Sequence, residues 1–297
     1  MPENVKNKER ERRLPDRKRS QWRDVFRRLW RNKLAMVGLF LVLVLVLAAV
    51  FADFVSPYDP AEQDLLNMKA MPGGGHLLGT DDYGRDTLSR IIYGGRVSLL
   101  VSILAIAFGL VLGGVIGMSA GYFGGIYDGI IMRVMDIIMA VPGFLLAVCI
   151  SAALGSGIFN TALAIGIGCI PGYARLFRAL VLSIRDQEYV EAARVAGASS
   201  ARIMFRQIVP NILSPVIVDT TLRIGGCILM ISSLSFIGLG VRPPTPEWGS
   251  MVSAGRQFIR SFWPMSTFPG LAIMLTLLGF NLFGDGLRDA LDPKLKN

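Results

Sequence analysis

The sequence predicts an all-α integral membrane protein with six transmembrane helices. Hydrophobic residues make up 52% of the 297 residues and charged residues only 18%, a proportion that a soluble core of this size cannot hide. The apolar residues also come in long blocks. Residues 34–52 carry no charge, and as a helix this run spans about 28 Å, close to the hydrocarbon thickness of a bilayer. These observations exclude an ordinary cytosolic enzyme.

A basic segment precedes the first apolar block. Residues 1–33 contain 13 Lys and Arg residues against five acidic ones. Residues 1–20 show no periodicity and are predicted to be disordered. Residues 22–33 predict an amphipathic helix, because apolar positions recur at helical spacing, at Trp22, Val25, Phe26, Leu29 and Trp30. Its arginines face lipid headgroups, or the helix packs on another subunit; the sequence leaves both open.

The first span, residues 34–55, is predicted to be retained in the protein. It is longer than the apolar core of a secretory signal peptide, and no A-x-A triplet stands at its end. Five further apolar stretches predict the other spans, at residues 97–121, 129–154, 158–174, 212–240 and 268–284.

A series of glycines marks the second span. They recur every four residues and continue beyond the span, at Gly109, Gly113, Gly117, Gly121, Gly125 and Gly129. In lipid, such a series lets two helix backbones approach closely. It predicts a tight helix interface, within this chain or with a partner.

Lys and Arg counts set the orientation. The basic tail is predicted to stay in the cytoplasm, and six spans return residues 291–297 to the same side. The arginine-rich residues 183–210, between spans four and five, also fall inside. Residues 56–95 fall outside, with three basic and six acidic residues, and residues 242–266 lie on the same outer side. The predicted transmembrane domain covers residues 34–290.

No motif for catalysis, for a cofactor or for a metal stands out. The chain lacks G-x-x-x-x-G-K-[ST], and the three cysteines lie in apolar stretches without metal-ligand spacing. The single histidine, His76, is predicted to be a solvated loop residue. Basic residues crowd into a few segments, so the net charge of +9 indicates membrane topology and no nucleic-acid partner.

Ionisable residues at membrane depth are predicted to pair locally. Arg133 and Asp136 are three residues apart, and Asp219 and Arg223 are four apart, so each pair shares a helix face. A proton or ion relay would need acids spread along one path. This pairing argues against a secondary transporter, which stays open as an alternative function. A membrane enzyme is left without candidate residues.

Residues 186–211 predict a helix-turn-helix between spans four and five. The first half is rich in alanine, Gly197 is placed to end a helix, and Ser199 or Ser200 to cap a second short helix that ends at Pro210. Because it is tethered between two spans and has no flanking globular domain, this unit is predicted to dock a partner protein and not DNA.

The same segment resembles the cytoplasmic signature of permease subunits of ATP-binding-cassette importers, E-A-A-x-x-x-G followed by an apolar residue and proline. The matching positions are Glu191, Ala192, Ala193, Gly197 and Pro210, with Val209 where leucine is more usual. Three further stretches are similar to the dipeptide, oligopeptide and nickel branch: residues 78–86, 235–249 and 284–293. The resemblance covers residues 22–294 and points to the second of the two permeases in such systems.

The resemblance implies an inner-membrane protein of a bacterium without its own ATPase site. It also implies four kinds of association: with a second permease subunit as a heterodimer, with two ATP-binding subunits, with an external solute-binding protein, and with membrane lipid. Glu191, Ala192, Ala193, Gly197 and Pro210 are then expected to couple the permease to an ATPase. The expected solute is a dipeptide or oligopeptide; nickel or another small solute is the alternative within the family.

Overall fold

The computed structural model describes residues 21–291, and every regular element in that range is helical. The predictions for residues 1–20 and 292–297 lie outside the described residues. In chain order the helices are α1 (Gln21–Arg31), α2 (Lys33–Val50), α3 (Ala52–Val55), α4 (Thr87–Phe123), α5 (Gly125–Ala140), α6 (Gly143–Leu154), α7 (Ile158–Ile184), α8 (Glu188–Val195), α9 (Ser200–Ile203), α10 (Val209–Phe236), α11 (Trp248–Gly255) and α12 (Pro264–Leu291). A π-helical turn, Met204–Ile208, joins α9 to α10.

The number of spans agrees with the sequence prediction. Five helices are long and apolar enough to cross a membrane: α2, α4, α7, the continuous helix Ser200–Phe236, and α12. The pair α5 and α6 makes a sixth if it is counted as one span. The all-helical membrane fold predicted from composition is confirmed.

The third span differs from its prediction as one helix over residues 129–154. Helices α5 and α6 meet at an angle of 84°. Pro142 has no N–H to donate and disfavours helical geometry in the residue before it. Val141 is accordingly extended, with φ −86° and ψ 126°. The predicted span is therefore present as two helices instead of one, and Pro142 explains the break between them.

The glycine series brings α4 against α7 within this chain. A Cβ atom added to Gly109 would lie 2.6 Å from Cβ of Cys169, and Gly117 lies directly against the backbone of Ala174. Gly113 and Gly121 face the same helix. By contrast, Gly125 and Gly129 have open space where a Cβ would stand. The predicted tight interface is confirmed within this chain for the first four glycines, whereas the last two make no such contact with the described residues.

Small residues also join α2 to α12. A Cβ atom on Gly38 would lie 2.6 Å from the backbone nitrogen of Phe283 and 2.8 Å from the carbonyl oxygen of Gly279. The amphipathic helix α1 lies at the end of this pair. Its Leu29 packs with Ala290 of α12, so part of the apolar stripe is covered by this chain.

The loop before α4 is anchored on that helix by Asp86. This carboxylate accepts hydrogen bonds from the backbone N–H of Ser89 at 2.7 Å and lies 2.9 Å from Nδ1 of His76. The His76 side chain is only 18% exposed. The prediction of a solvated histidine was wrong, because a buried cap residue ten positions later holds it.

The segment after α10 is anchored on α4 as well. Glu247 is fully buried, and its carboxylate accepts from the backbone N–H groups of Gly249 at 2.9 Å and Ser250 at 2.8 Å. The indole Nε1 of Trp248 donates to the carbonyl oxygen of Ile91 at 2.8 Å. These contacts fix α11 against the start of the long helix.

Candidate functional site

The residues predicted to couple the permease to an ATPase lie around α8, in the segment of residues 183–210, here called the coupling segment. One side of α8 faces the protein: Val190 is fully buried and Ala193 packs against the same core. The opposite side, at spacing i, i+3, i+4 and i+7, carries the exposed residues Glu188, Glu191, Ala192 and Val195. Helix α8 thus rests on the bundle and presents a whole face outward.

The end of α8 is a Schellman turn centred on Gly197. This residue has φ 77°, a left-handed conformation that glycine adopts without strain. Its N–H donates to the carbonyl of Arg194 at 3.0 Å, and the N–H of Ala198 donates to that of Ala193 at 3.1 Å. The predicted helix stop at Gly197 is confirmed.

The second short helix begins as predicted but does not end as predicted. Ser199 is the cap, since its side chain accepts from the N–H of Arg202 at 3.4 Å. Pro210 then falls inside a continuous helix from Ser200 to Phe236. The π-helical turn before it explains this: in a wider turn the missing N–H and the proline ring are accommodated without a break.

The structure thus separates the five predicted residues. Glu191, Ala192 and Gly197 are exposed on α8 and its turn, Ala193 faces the core, and Pro210 is exposed at the start of α10. Two exposed apolar side chains were missed, Val195 at 90% and Phe205 at 62% exposure. Their signal was available, because both are apolar residues in a segment rich in charge.

Ion pairs tie α7, the helix before the coupling segment, to α5. Arg178 of α7 binds Asp128 of α5 through two bonds, of 2.5 and 2.6 Å. Arg175 binds Asp136 at 2.5 Å. The predicted pair of Arg133 with Asp136 was therefore wrong, because a neighbouring helix offers Asp136 a closer guanidinium.

On the other side, the predicted pair of Asp219 with Arg223 is confirmed. The Arg223 guanidinium also lies 4.8 Å from the ring centroid of Tyr173 in α7. In the coupling segment itself, the Arg194 guanidinium lies 6.0 Å from the ring centroid of Tyr122, near the end of α4. These contacts join α10 to α7 and α8 to the end of α4.

This arrangement leaves the outer face of α8 exposed. Among residues 21–291, no group of three or more His, Cys, Asp or Glu side chains could hold a metal ion. What the coupling segment provides is a rigid helix with a small-residue, partly acidic outer face.

Comparisons with known proteins identify this architecture. The family described as "Binding-protein-dependent transport system inner membrane component" matches residues 105–297, and the "N-terminal TM domain of oligopeptide transport permease C" matches residues 20–72. The dipeptide transport system permease protein DppC of Escherichia coli (strain K12) is 57% identical over 272 residues, which cover 90% of this chain and 91% of that protein.

Two further proteins are similar. The glutathione transport system permease protein GsiD of Shigella flexneri serotype 5b is 45% identical, over 95% of this chain and 93% of that protein. A solved structure of inward-facing conformations of the MetNI methionine ABC transporter matches with a TM-score of 0.56 at 16% identity, covering 68% of this chain and 97% of that one. At that identity the likeness concerns the fold alone. By sequence and by fold, this chain belongs to the family of binding-protein-dependent transport system inner membrane components, which are permease subunits of ABC transporters and have no ATPase activity of their own.

Proposed function

We propose that this chain is a permease subunit of a dipeptide importer. The single observation that supports this substrate is the 57% identity with a dipeptide permease across 90% of the chain. ABC permeases of this family work with ATPase and solute-binding partners. Here the proposed assembly is a heterodimer with a second permease, two ATP-binding subunits and an external solute-binding protein.

The proposed location is the bacterial inner membrane, with both termini and the coupling segment in the cytoplasm. The Lys and Arg counts support this orientation, since the first 33 residues carry 13 basic residues and the loop of residues 56–95 only three. The long loop before α4 and the segment before α12 then face outward, where a solute-binding protein docks.

The proposed coupling step starts at the outer face of α8. Because the side chain of Ala192 is small, α8 can fit deep into a groove of the ATPase. The carboxylate of Glu191 sets the orientation of α8 in that groove. Because Val190 is fully buried, α8 moves with its own bundle when the ATPases close. Gly197 and the turn before Pro210 transmit this movement to α10. On the other side of α8, only three residues separate its first residue from the end of α7, so α7 is moved as well.

Within the spans, the chain is proposed to supply a passage and no tight site for the solute. Asp219 and Arg223, two charged residues within the predicted fifth span, are already paired with each other. A peptide zwitterion held there without paired charges would lose several kcal/mol. A hydrated path avoids that loss, because both solute and lining keep their water.

Uptake measurements test the substrate. Cells in which this chain is deleted should lose uptake of labelled Ala-Ala and regain it when the chain is restored. Nickel uptake in the same cells is the matched control, since nickel is the alternative solute. Loss of nickel uptake with intact dipeptide uptake would refute the dipeptide proposal.

A further inference from the structure

Helix α1 lies before the first predicted span, yet it exposes two large aromatic side chains. Phe26 and Trp30 are 62% and 63% exposed. They stand four residues apart, so they share one side of the helix, and their ring centroids are 5.8 Å apart. An exposed apolar surface of this kind, next to a membrane span, indicates a contact that lies outside this chain.

The adjacent side of α1 fixes the helix on the bundle. Leu29 is buried in a cluster with Ala35 of α2 and Ala290 of α12. Helix α2 begins at Lys33 and has 18 residues, so it is about 27 Å long, close to the hydrocarbon thickness of a bilayer. Because Ala35 lies in the first turn of that span, its contact with Leu29 places α1 at the boundary between the acyl chains and the headgroups.

Asn32 separates the direction of α1 from that of the span. Its backbone is extended, with φ −83° and ψ 101°, so the two helices do not share one axis. Its N–H donates to the carbonyl oxygen of Leu29 at 3.1 Å, and its side-chain oxygen accepts from the N–H of Ala35 at 3.2 Å. The corner between the two helices is thus fixed by hydrogen bonds on both sides. Helix α1 does not continue the span, which leaves it free to lie along the membrane surface.

A third side of α1 is basic. Arg27 and Arg31 are exposed and stand four residues apart, on a side that carries neither the aromatic pair nor Leu29. Lys33 is exposed directly after the corner. None of the ion pairs among the described side chains uses these three cations. A helix with one aromatic side and one basic side is the arrangement that binds a membrane surface.

A neighbouring protein is the other candidate to cover this helix, and the chemistry favours lipid. The ring of tryptophan is apolar and its N–H needs a polar partner, so the residue is enriched where acyl chains meet headgroups. Three cations between Arg27 and Lys33 would need matching acids on a protein partner. Anionic lipids supply phosphates at this depth without any matched surface.

We propose that α1 anchors the chain at the membrane surface. Phe26 and Trp30 enter the boundary between headgroups and acyl chains, and Arg27, Arg31 and Lys33 bind the phosphates of anionic lipids. This lipid contact is argued from the residues of this chain alone. Only its assignment to the cytoplasmic leaflet rests on the proposed function, through the proposed orientation of the chain.

Nitroxide labels test the position of α1 in the complete membrane assembly, held in lipid nanodiscs. Phe26→Cys is labelled in a background without other reactive cysteines. Its collisions with oxygen, which concentrates in lipid, are compared with its collisions with a water-soluble nickel chelate. Phe40→Cys, at a 65% exposed side chain of α2, is the reference for lipid, and Leu66→Cys, at a 97% exposed side chain of the long loop, is the reference for water. The ratio of oxygen to nickel collisions at position 26 should be several-fold higher than at position 66.

The lipid composition tests the basic side of α1. Nanodiscs of phosphatidylcholine alone are compared with nanodiscs of an equal mixture of phosphatidylcholine and phosphatidylglycerol. The collision ratio at position 26 should rise with the anionic lipid, and the ratio at position 40 should not change. Arg27→Gln combined with Arg31→Gln should remove most of the rise, because each basic residue strengthens binding to an anionic surface about fivefold. Arg27→Lys combined with Arg31→Lys keeps both charges and should retain it.

Four results would overturn the proposal. Few collisions with either reagent at position 26 would place another subunit over the aromatic pair, and a ratio equal to that at position 66 would place α1 in water. No rise with phosphatidylglycerol, or a rise that survives both glutamine substitutions, would remove the role of anionic lipid. The subunit content and ATPase activity of each variant show whether its assembly is intact. Dipeptide uptake by the unmodified assembly tests the proposed function separately.

Discussion

Gly197 is a residue whose backbone conformation, and not its packing, makes it hard to replace. Its φ of 77° is left-handed, and nothing lies within 4 Å of where a Cβ would stand. A branched side chain there costs about 1–2 kcal/mol of backbone strain and favours continuation of α8 instead of the turn.

Gly197→Leu is therefore expected to abolish coupled transport while leaving membrane insertion intact. Dipeptide uptake and ATPase activity of the purified assembly measure the effect. Gly197→Asn is the matched control, because asparagine tolerates the left-handed conformation and should keep most of the uptake. Normal uptake by Gly197→Leu at a normal expression level would remove the docking role of this turn.

Glu247 illustrates a buried carboxyl outside the spans. Burial raises its pKa above the ordinary value, against the lowering effect of the N–H groups of Gly249 and Ser250. The folded protein therefore holds this proton to a higher pH than the unfolded chain does. Its contribution to stability is largest below the ordinary pKa, and it declines as the pH rises from the ordinary pKa to the raised one.

Glu247→Gln should remove this part of the pH dependence. The amide keeps one acceptor oxygen and loses the other, so the variant is expected to be less stable by about 1 kcal/mol at acid pH. The gap to the wild type should narrow as the pH rises above the ordinary carboxyl pKa of about 4, because only the wild type must ionise. Melting temperatures of the detergent-purified assembly across this range measure it; a gap that widens would contradict the prediction.

At the scale of helices, the sequence predicted an ion pair within one helix but not the ion pairs between different helices. Asp219 and Arg223 stand four residues apart on one helix, so their pairing follows from helical geometry. Arg178 and Asp128 are fifty residues apart on different helices. Nothing in a single sequence indicates that they are in contact. The packing of α7 against α5 likewise pairs Asp136 with Arg175 instead of Arg133.

The prolines also differ in whether their effect could be predicted from the sequence. The break before Pro142 could have been predicted, since a proline restricts the residue before it and α5 ends there. The continuity through Pro210 could not, because it depends on the π-helical turn Met204–Ile208. Proline thus follows the end of one helix and lies within others, as at Pro171 in α7 and Pro269 in α12, so its presence alone does not predict a break.

The interface of α4 with α7 makes a sharp test at this scale. Gly117→Leu should destabilise the protein by about 1–3 kcal/mol or more, because the backbone of Ala174 leaves no room for a side chain. Gly129→Leu is the matched control: it continues the same four-residue interval, but its Cβ would meet open space. Melting temperature and yield of the assembly should fall for the first and change little for the second. Equal losses would mean that this packing does not govern stability.

At the scale of the whole molecule, the distribution of Lys and Arg predicts the orientation of the chain in the membrane. Labelling experiments can test this orientation only at side chains that are exposed. Glu247 belongs to a segment predicted to face outward, yet it is fully buried and cannot report on access. Leu66 and Val195 are 97% and 90% exposed, in the long loop and in the coupling segment.

Leu66→Cys should be labelled by a membrane-impermeant thiol reagent on spheroplasts, and Val195→Cys only after the membrane is opened. A background without Cys149, Cys169 and Cys227 serves as the unlabelled control. The reverse pattern would invert the proposed topology and move the coupling segment away from the ATPases.

The bend between α5 and α6 has a consequence for what can surround this chain. Each helix end leaves backbone carbonyl or N–H groups without a partner in its own helix, and the 84° turn at Val141–Pro142 brings two such ends together. Acyl chains can neither donate nor accept a hydrogen bond, so an irregular backbone at membrane depth is stable only beside protein or water. We therefore predict that the side of the molecule that carries this bend is closed to lipid and is covered by a neighbouring subunit or by a water-filled channel.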